Sequence, residues 1–283
     1  MSERLAVRKT YKLYIGGAFP RSESGRTYPV TDTKGRFLAN ASQASRKDVR
    51  DAVTAARKAQ PGWSGRTAYN RAQILYRIAE MLEGRRDQFI TEVRHGGASK
   101  THAAAQVDAA IDRWVWYAGW ADKITAVTGA ANPVTGPYFN FSTPEPTGIV
   151  ALIAPDDPLL GLVSVLAPAI TTGNTTIVIA SEPAPLPAIT LAEVLATSDL
   201  PGGVVNILTG HRTELAPWLA SHMDVNAIDL TGVPEADVTA LEEKAAENLK
   251  RVFRAAEDWS GDPGTARMTA FLEVKTVWHP VGV

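Results

Sequence analysis

The sequence of 283 residues contains no cysteine. A disulfide framework, a zinc site built from thiolates and a cysteine nucleophile are therefore all excluded. Neither sign of charge dominates, because 29 basic and 30 acidic residues leave a formal net charge of −1. The chain consequently lacks the general attraction to nucleic acid or anionic lipid that a basic protein has.

Long apolar runs are missing as well. The longest, residues 159–170, is too short to cross a bilayer and contains Pro168. The N-terminus lacks the apolar core of a secretory signal, so the cytoplasm is the expected compartment. What the sequence does contain, 45% hydrophobic and 21% charged residues, is typical of a globular protein long enough to bury a core.

The five histidines do not have the spacing of metal ligands, so no metal site is predicted. They are His95, His102, His211, His222 and His279. The serines lack the context of a nucleophile elbow, and nothing in the sequence supports a hydrolase.

The first part of the chain predicts a short hairpin, from residues 12–19 and about 27–30, followed by helices. Ser45 and Asp48 are placed to cap a helix over residues 45–60. Further helices are expected over residues 69–83, 85–93 and 103–125. The last of these helices has one apolar face, made of Val107, Ile111, Trp114, Ala118 and Ala121.

The pattern changes at about residue 137. Two strands are expected in residues 137–153, joined by a proline-rich turn at 142–148. Asp157 is the expected N-cap of a helix that starts at Pro158. Strands are predicted at 149–153, 175–179, 204–208 and 227–230, alternating with helices at 158–171, 186–197, 212–222 and 234–256. This alternation predicts a parallel sheet with helices on both faces, a doubly wound α/β fold.

Several segments share the motifs of one enzyme family. The three most specific are YAGWADKI at residues 117–124, TGNTTIVIASEPAPL at 172–186 and LPGGVVNILTG at 200–210. They are joined by KLYIGGAF at 12–19, PYFNFSTPEPTGIV at 137–150 and NLKRV at 248–252. In this order and spacing, over about residues 11–252, the chain resembles the aldehyde dehydrogenase superfamily.

The resemblance implies a Rossmann-like domain with N-terminal helices and a small β oligomerisation arm. Residues 1–125 would form the N-terminal hairpin and helices of the dinucleotide-binding domain, residues 126–147 a hairpin of the arm, and residues 148–256 the Rossmann-like part. Residues 257–270 would be a linker that replaces the catalytic domain, and residues 271–283 the last strand of the arm. The family's chemistry depends on a cysteine nucleophile, which this chain lacks.

Two further catalytic groups of the family are also missing. The resemblance places Asp156 where the family has an asparagine that stabilises the oxyanion, and an ionised carboxylate cannot donate that hydrogen bond. It places Ala255 where the family has a glutamate base. Glu257 lies two residues on, which on a helix turns the side chain about 200° away.

The cofactor site is only partly retained. Of the pair that holds the adenosine ribose in the family, Glu182 is present but Ile179 replaces the lysine. At the family's pyrophosphate site Gly232 is present, while Val233 and Asp237 replace a serine and a glycine. Glu182 and Gly232 are therefore predicted as vestigial cofactor-binding residues, and no cofactor, or only weak NAD(P) binding, is expected.

Residues 271–278, FLEVKTVW, resemble the strand that closes full-length members. Only the eighteen residues 253–270 separate it from the NLKRV region, too few to form a second core. Alternation along this strand predicts one packed face, with Val274, Thr276 and Trp278 on it. The expected interface of the arm comprises Tyr138, Phe139, Phe141, Val274, Thr276 and Trp278.

In the family's dimer each arm pairs with the catalytic domain of its neighbour, which a second copy of this chain could not provide. The first hypothesis is therefore a noncatalytic subunit that assembles with a full-length aldehyde dehydrogenase paralogue, which would bind NAD(P), in a hetero-oligomer such as a heterotetramer. The second is a free-standing NAD(P)- or nucleotide-binding module. The third is an active enzyme with new chemistry at Asp156, Asp157 and Glu257.

Overall fold

The computed structural model describes residues 9–255, 258–259 and 261–282 of the chain. The helices are α1 (Arg46–Ser64), α2 (Ala68–Glu83), α3 (Arg86–Arg94), α4 (Lys100–Trp120), α5 (Ile124–Thr128), α6 (Leu160–Thr171), α7 (Leu186–Ala196), α8 (Arg212–Ser221), α9 (Glu235–Ala246) and α10 (Ala266–Ala270). The strands are β1 (Thr27–Thr31), β2 (Phe37–Ser42), β3 (Ala130–Asn132), β4 (Tyr138–Pro146), β5 (Ile149–Ile153), β6 (Thr175–Ile179), β7 (Val205–Leu208), β8 (Ala227–Asp229), β9 (Arg251–Phe253) and β10 (Leu272–Pro280).

The centre of the fold is a five-stranded parallel sheet in the order β7-β6-β5-β8-β9. Strands β5, β6, β7 and β8 are buried on both faces, which explains their largely apolar sequences. Along β5 the side chains alternate between two cores: Val150 and Leu152 pack with α6 and α7, and Ile149 and Ile153 pack with α1 and α8. The predicted doubly wound α/β fold is therefore confirmed.

The N-terminal helices were also predicted correctly, with small shifts at their ends. Ser45 caps α1, and its side chain and that of Asp48 form a reciprocal capping box. The predicted apolar face of α4 is buried, with Trp114 fully enclosed. However, α4 ends at Trp120, and the short helix α5 continues to Thr128. Among the described residues, no helix has the length and apolar content needed to cross a membrane.

Two predictions for the N-terminal part and the proline-rich segment were wrong. Residues 12–19 do not form the first strand of the hairpin, which instead consists of β1 and β2; Tyr14 makes only an isolated bridge to Ile207 at the sheet edge. The proline-rich residues are not a turn but the end of β4. Strand β3 pairs only with residues 140–142 of β4, so this edge of β4 is open beyond Ser142. Pro144 and Pro146 are tolerated because they lie in the part of β4 with an open edge.

Two helix predictions also need correction. The helix expected over residues 234–256 ends at Ala246, and the NLKRV segment leads into β9, the fifth parallel strand. Helix α6 starts at Leu160 instead of Pro158, so Asp157 is not its N-cap residue. Its carboxylate nevertheless accepts a hydrogen bond from the backbone N–H of Gly161 at 2.9 Å, in the first turn.

A second, three-stranded sheet has the order β10-β4-β3, with β4 and β10 paired over their full lengths. The predicted face of Val274, Thr276 and Trp278 is exposed in the single chain, and its packing against a partner stays a prediction. Val274 is 66% exposed and Trp278 is 59% exposed. Within the sheet, Trp278 contacts Tyr138 edge to face at 5.9 Å, and the hydroxyl of Thr276 lies 2.9 Å from that of Ser142.

A buried ion pair anchors the segment between β9 and β10. Arg267, on α10, pairs with Asp229 at the end of β8, and the two side chains are 3% and 0% exposed. Asp229 also accepts a hydrogen bond from the backbone N–H of Thr231 at 2.9 Å. The guanidinium of Arg267 lies 4.6 Å from the centre of the Phe253 ring. We call the Arg267–Asp229 pair the clasp.

A second arginine holds the same segment from the side of α4. Arg113 donates hydrogen bonds to the Ser164 hydroxyl at 2.6 Å and to the carbonyls of Trp259 and Gly261 at 2.9 Å each. Phe271 follows α10 and is fully buried. Three residues between β9 and β10, namely Arg267, Met268 and Phe271, are buried, and they anchor this segment to the core of the domain.

We predict that Arg267→Met lowers the free energy of unfolding by about 3–5 kcal/mol, because it leaves the carboxylate of Asp229 buried without a cation. Replacing both partners, as Arg267→Met with Asp229→Leu, should recover most of this loss. Denaturant titration measures both effects. Arg94→Met, at an exposed position at the end of α3 with no ion pair to another described residue, is the control and should change stability by less than about 0.5 kcal/mol. An Arg267→Met variant as stable as the wild type would contradict the stabilising role of the clasp.

Candidate functional site

A cleft of about 890 Å³ lies at the carboxyl ends of the parallel strands. The chain runs outward from β5 to β6 and β7 and then returns to β8 on the other side of β5, so the strand order reverses between β5 and β8. Ligands of open α/β sheets bind at such a reversal point. The walls are formed by α8 and α9 on one side and by β1, α3 and the start of α7 on the other.

Asp156, in the loop after β5, is held by two hydrogen bonds. It accepts one from the guanidinium of Arg212 at 2.6 Å and one from the hydroxyl of Ser181 at 3.0 Å. Arg212 also donates to the carbonyl of Gly232, in the loop after β8. Its side chain is only 14% exposed. The guanidinium therefore bridges the reversal point, and its charge is matched by the carboxylate of Asp156.

Both carboxylate oxygens of Glu182, in the loop after β6, also have hydrogen-bond partners. One carboxylate oxygen lies 2.6 Å from Nδ1 of His211, and the other accepts the backbone N–H of Arg212 at 3.2 Å. Burial raises the pKa of Glu182, but these hydrogen bonds and the neighbouring charges outweigh it, and the pKa falls below its usual value. Glu182 is thus an ionised group whose hydrogen bonds connect the loops after β6 and β7.

Gly232 is required by backbone packing. Its N–H donates to the carbonyl of Ile153 at 3.0 Å. A β-carbon at this position would lie 2.1 Å from the carbonyl oxygen of Ala154, a distance no side chain tolerates. The contact brings the end of β8 against the end of β5, which accounts for the glycine without any ligand.

Helix α9, which follows Gly232, begins with two acidic residues. Glu235 pairs with Arg254 at 2.6 Å, whereas Asp237 lines the cleft and makes no ion pair within the described residues. Lys244 lines the cleft two turns further along the same helix. Since a helix N-terminus attracts anions, a carboxylate at Asp237 works against the attraction at this end of the cleft.

Asp156 and Asp157, two of the acidic residues predicted for new chemistry, face different partners. Asp157 accepts hydrogen bonds from the backbone of Gly161 and, at 2.9 Å, from the side-chain amide of Gln106, whereas Asp156 faces Arg212. Ala255 carries no acid or base, and Glu257 lies outside the described residues. In the part of the chain that the structure describes, no cluster of three or more acidic or histidine side chains could hold a metal ion.

At the far end of the cleft lies a buried glutamate that the sequence analysis missed. Glu92, on α3, is 7% exposed and accepts hydrogen bonds from the hydroxyls of Tyr11 at 3.1 Å and Thr190 at 2.8 Å. Burial raises its pKa. The signal in the sequence was its position on the apolar stripe of α3, three residues after Phe89 and next to Val93. Its second oxygen has no partner among the described residues.

Comparisons with known proteins agree with this geometry. A model of the aldehyde dehydrogenase family matches residues 19–255. Cytosolic aldehyde dehydrogenase 1 of Elephantulus edwardii is 36% identical over 253 residues, which cover 85% of this chain and 49% of that protein. Human retinal dehydrogenase 2 is 34% identical over 251 residues, 86% of this chain and 48% of that protein.

The fold has solved relatives too. The NAD+ complex of an aldehyde dehydrogenase from Bacillus cereus superposes with a TM-score of 0.83 at 27% identity, covering 87% of this chain and 50% of that chain. The chain spans about half the length of the relatives it matches, and the matched residues end before α10 and β10. This chain therefore belongs to the aldehyde dehydrogenase family.

Proposed function

We propose that this chain is a noncatalytic subunit that assembles with a full-length, active aldehyde dehydrogenase and stabilises or regulates it. The observation that carries the proposal is the exposed β4/β10 sheet, kept in place by a clasp, in a chain with no cysteine. The fold thus retains a surface for assembly while lacking the group that the family's chemistry needs.

Three features argue against catalysis by the chain alone. There is no thiol anywhere in the sequence. At the position expected for the oxyanion donor, Asp156 acts only as a hydrogen-bond acceptor, from Arg212 and Ser181. Ala255 stands where the base is expected. Loss of one oxyanion donor alone typically costs about 100-fold or more in rate.

The β4/β10 sheet supports assembly with another subunit. Tyr138 is 46% exposed, Phe139 51%, Val274 66% and Trp278 59%. They lie on the two faces of a narrow sheet whose outer strand, β10, has no strand on its other side among the described residues. An exposed edge with aromatic side chains is a liability for a protein that stays alone. The edge of a catalytic-domain sheet in a partner would cover it.

The proposal assigns the cofactor to the partner. The solved Bacillus cereus relative binds NAD+, but the cleft of this chain does not fit a diphosphate. Among the described residues that line it, one guanidinium, that of Arg212, is present and is matched by Asp156, and Asp237 adds a carboxylate at the start of α9. We therefore expect weak NAD(P) binding or none, with Glu182 and Gly232 as remnants of the family's cofactor site. A cytoplasmic location, as for the cytosolic relative, completes the proposal.

A free-standing NAD(P)- or nucleotide-binding module is the second candidate. The cleft of about 890 Å³ at the strand-order reversal favours it, because a site of that size and place is typical of ligand binding. It predicts tight dinucleotide binding by the isolated chain. The first candidate predicts that binding of NAD(P) is weak and that assembly depends on the exposed sheet.

We expect the purified chain to oxidise no aldehyde above the background rate with either NAD+ or NADP+, because it has neither nucleophile nor base. Reduction of the cofactor, followed spectroscopically, is the measurement, and a full-length aldehyde dehydrogenase assayed in parallel is the positive control. Activity that disappears in Asp156→Ala or Glu257→Ala would instead support the hypothesis of new chemistry at these acids.

Co-expression with full-length aldehyde dehydrogenases of the same source tests the assembly. A stable complex should form, and the double variant Val274→Asp, Trp278→Ala should weaken it at least about tenfold, because truncating a buried aromatic anchor and introducing a charge both disrupt an interface. Light scattering after size-exclusion chromatography gives the mass of the complex.

The matched control is Tyr69→Ser, which removes an aromatic side chain that is 68% exposed on α2, outside the β4/β10 sheet. It should leave the complex intact. Recovery of the chain only as an isolated protein with every paralogue tested, or an undiminished complex with the double variant, would refute the proposed interface.

A further inference from the structure

Residues 9–16, which we call the strap, precede the β1–β2 hairpin and lie against α3 and α7. We infer that Glu92 is a proton-dependent latch, which holds the strap in place when its carboxyl is neutral and releases it when the carboxyl is ionised. The inference concerns the isolated chain and involves neither a cofactor nor a partner subunit. It is therefore independent of the proposed function.

The strap joins two parts of the fold. The backbone N–H of Tyr11 donates to the carbonyl of Asn40 at 3.2 Å, and its carbonyl accepts from the N–H of Ser42 at 2.9 Å, both on β2. Tyr14 exchanges two backbone hydrogen bonds with Ile207, at 2.9 and 2.7 Å. Ile207 lies on β7, the outer strand of the parallel sheet. The strap thus covers the edge of this sheet and ties the hairpin to it.

Glu92 lies where the strap meets two helices. Its Oε1 accepts three hydrogen bonds, from the hydroxyls of Tyr11 at 3.1 Å and Thr190 at 2.8 Å and from the side-chain amide of Gln88 at 3.3 Å. These donors belong to the strap, α7 and α3. Its Oε2 is buried and has no partner among the described residues. One carboxyl group therefore connects all three segments through a single oxygen.

The charged groups around Glu92 leave it without a cation. Within the described ranges its carboxyl makes no ion pair. Lys9 on the strap and Arg85, which precedes α3, both pair with Glu193 on α7, the latter at 2.6 Å. Burial lowers the pKa of His95, at the end of α3, and so favours its neutral form. A negative charge on Glu92 would be buried among groups that are already paired or neutral.

The balance of these effects favours the neutral carboxyl. Burial raises the pKa of Glu92, and the hydrogen bonds from Thr190, Gln88 and Tyr11, with the charge of Lys9, lower it by less. Burial also raises the pKa of Tyr11, so its hydroxyl remains a donor. The stability that the neutral carboxyl provides is therefore fully present below the usual pKa of a glutamate. It is lost as the pH rises through the raised pKa of Glu92.

Ionisation should open the fold at the strap. A buried carboxylate oxygen without a partner costs free energy unless water reaches it. Helices α3 and α7 are packed into the core through Phe89 and Leu191, which are fully buried, whereas four backbone hydrogen bonds attach the strap to β2 and β7. Segments with few backbone hydrogen bonds open locally at the lowest cost. Movement of the strap is thus the easiest way to hydrate Oε2 of Glu92.

Hydrogen–deuterium exchange of the wild-type chain, followed by mass spectrometry and corrected for the intrinsic rate at each pH, tests the inference. Between about pH 4.5 and pH 8 the protection of peptides that cover the strap should fall at least about fivefold. Peptides from β5 and β6 should change by less than about twofold over the same range. This series needs no variant and so does not depend on the folding of one.

Glu92→Gln keeps an acceptor for Tyr11 and removes the titration, so the protection of the strap should vary by less than about twofold across the pH range. Tyr11→Phe should lower this protection at pH 4.5 at least about threefold, because the hydrogen bond to the latch is lost. Glu83→Gln, an acid-to-amide change at an exposed position at the end of α2, is the matched control and should retain the wild-type pH dependence. Protection of the strap that is independent of pH in the wild type, or that falls equally in Glu92→Gln, would overturn the inference.

Discussion

The buried carboxylate of Asp229 is the constraint on which the rest of this structure depends. It sits at the end of β8 with no exposed surface, and such a charge is stable only beside a cation. Arg267 supplies it from α10, which fixes the segment after β9 over the sheet end. That segment leads into β10, which pairs with β4, so the clasp connects the parallel sheet to the three-stranded sheet.

The segment that carries the clasp also completes part of the core. The described residues after β9 bury Met268 and Phe271 and cover the end of the sheet. Four large apolar side chains, those of Tyr138, Phe139, Val274 and Trp278, are exposed on β4 and β10. In the cleft at the carboxyl ends of the parallel strands, Arg212 pairs with Asp156, and Glu182 accepts hydrogen bonds from the loop after β7. The fold thus offers two different surfaces, an exposed sheet with apolar side chains and a cleft whose guanidinium is already paired.

Much of the fold followed from local sequence patterns. The alternation of buried strands with helices, the capping residues Ser45 and Asp48 and the apolar face of α4 are local signals, and the structure confirms them. The failures were short or atypical elements. The three-residue strand β9 follows an amphipathic helix too closely to be separated from it by periodicity. The prolines of β4 were interpreted as a turn because a proline is compatible with a strand only where the strand edge is open, and the sequence does not show which edge is open.

The candidate site was less predictable, because its contacts join distant parts of the chain. Asp156 and Arg212 are 56 residues apart, and Asp229 and Arg267 are 38 apart. Motif comparison identified Asp156, Glu182 and Gly232 as departures or remnants, but it could not reveal that the acids are already paired. Nor could it show that Gly232 is fixed by its contact with Ala154. Such pairings depend on tertiary structure, which no local pattern encodes.

Purification of the chain from its native source, followed by native mass spectrometry, tests the central claim most directly. The account predicts a complex of fixed stoichiometry that contains a second, cysteine-bearing aldehyde dehydrogenase of full length. Recovery of the chain alone, or only in complexes with itself, would contradict the account.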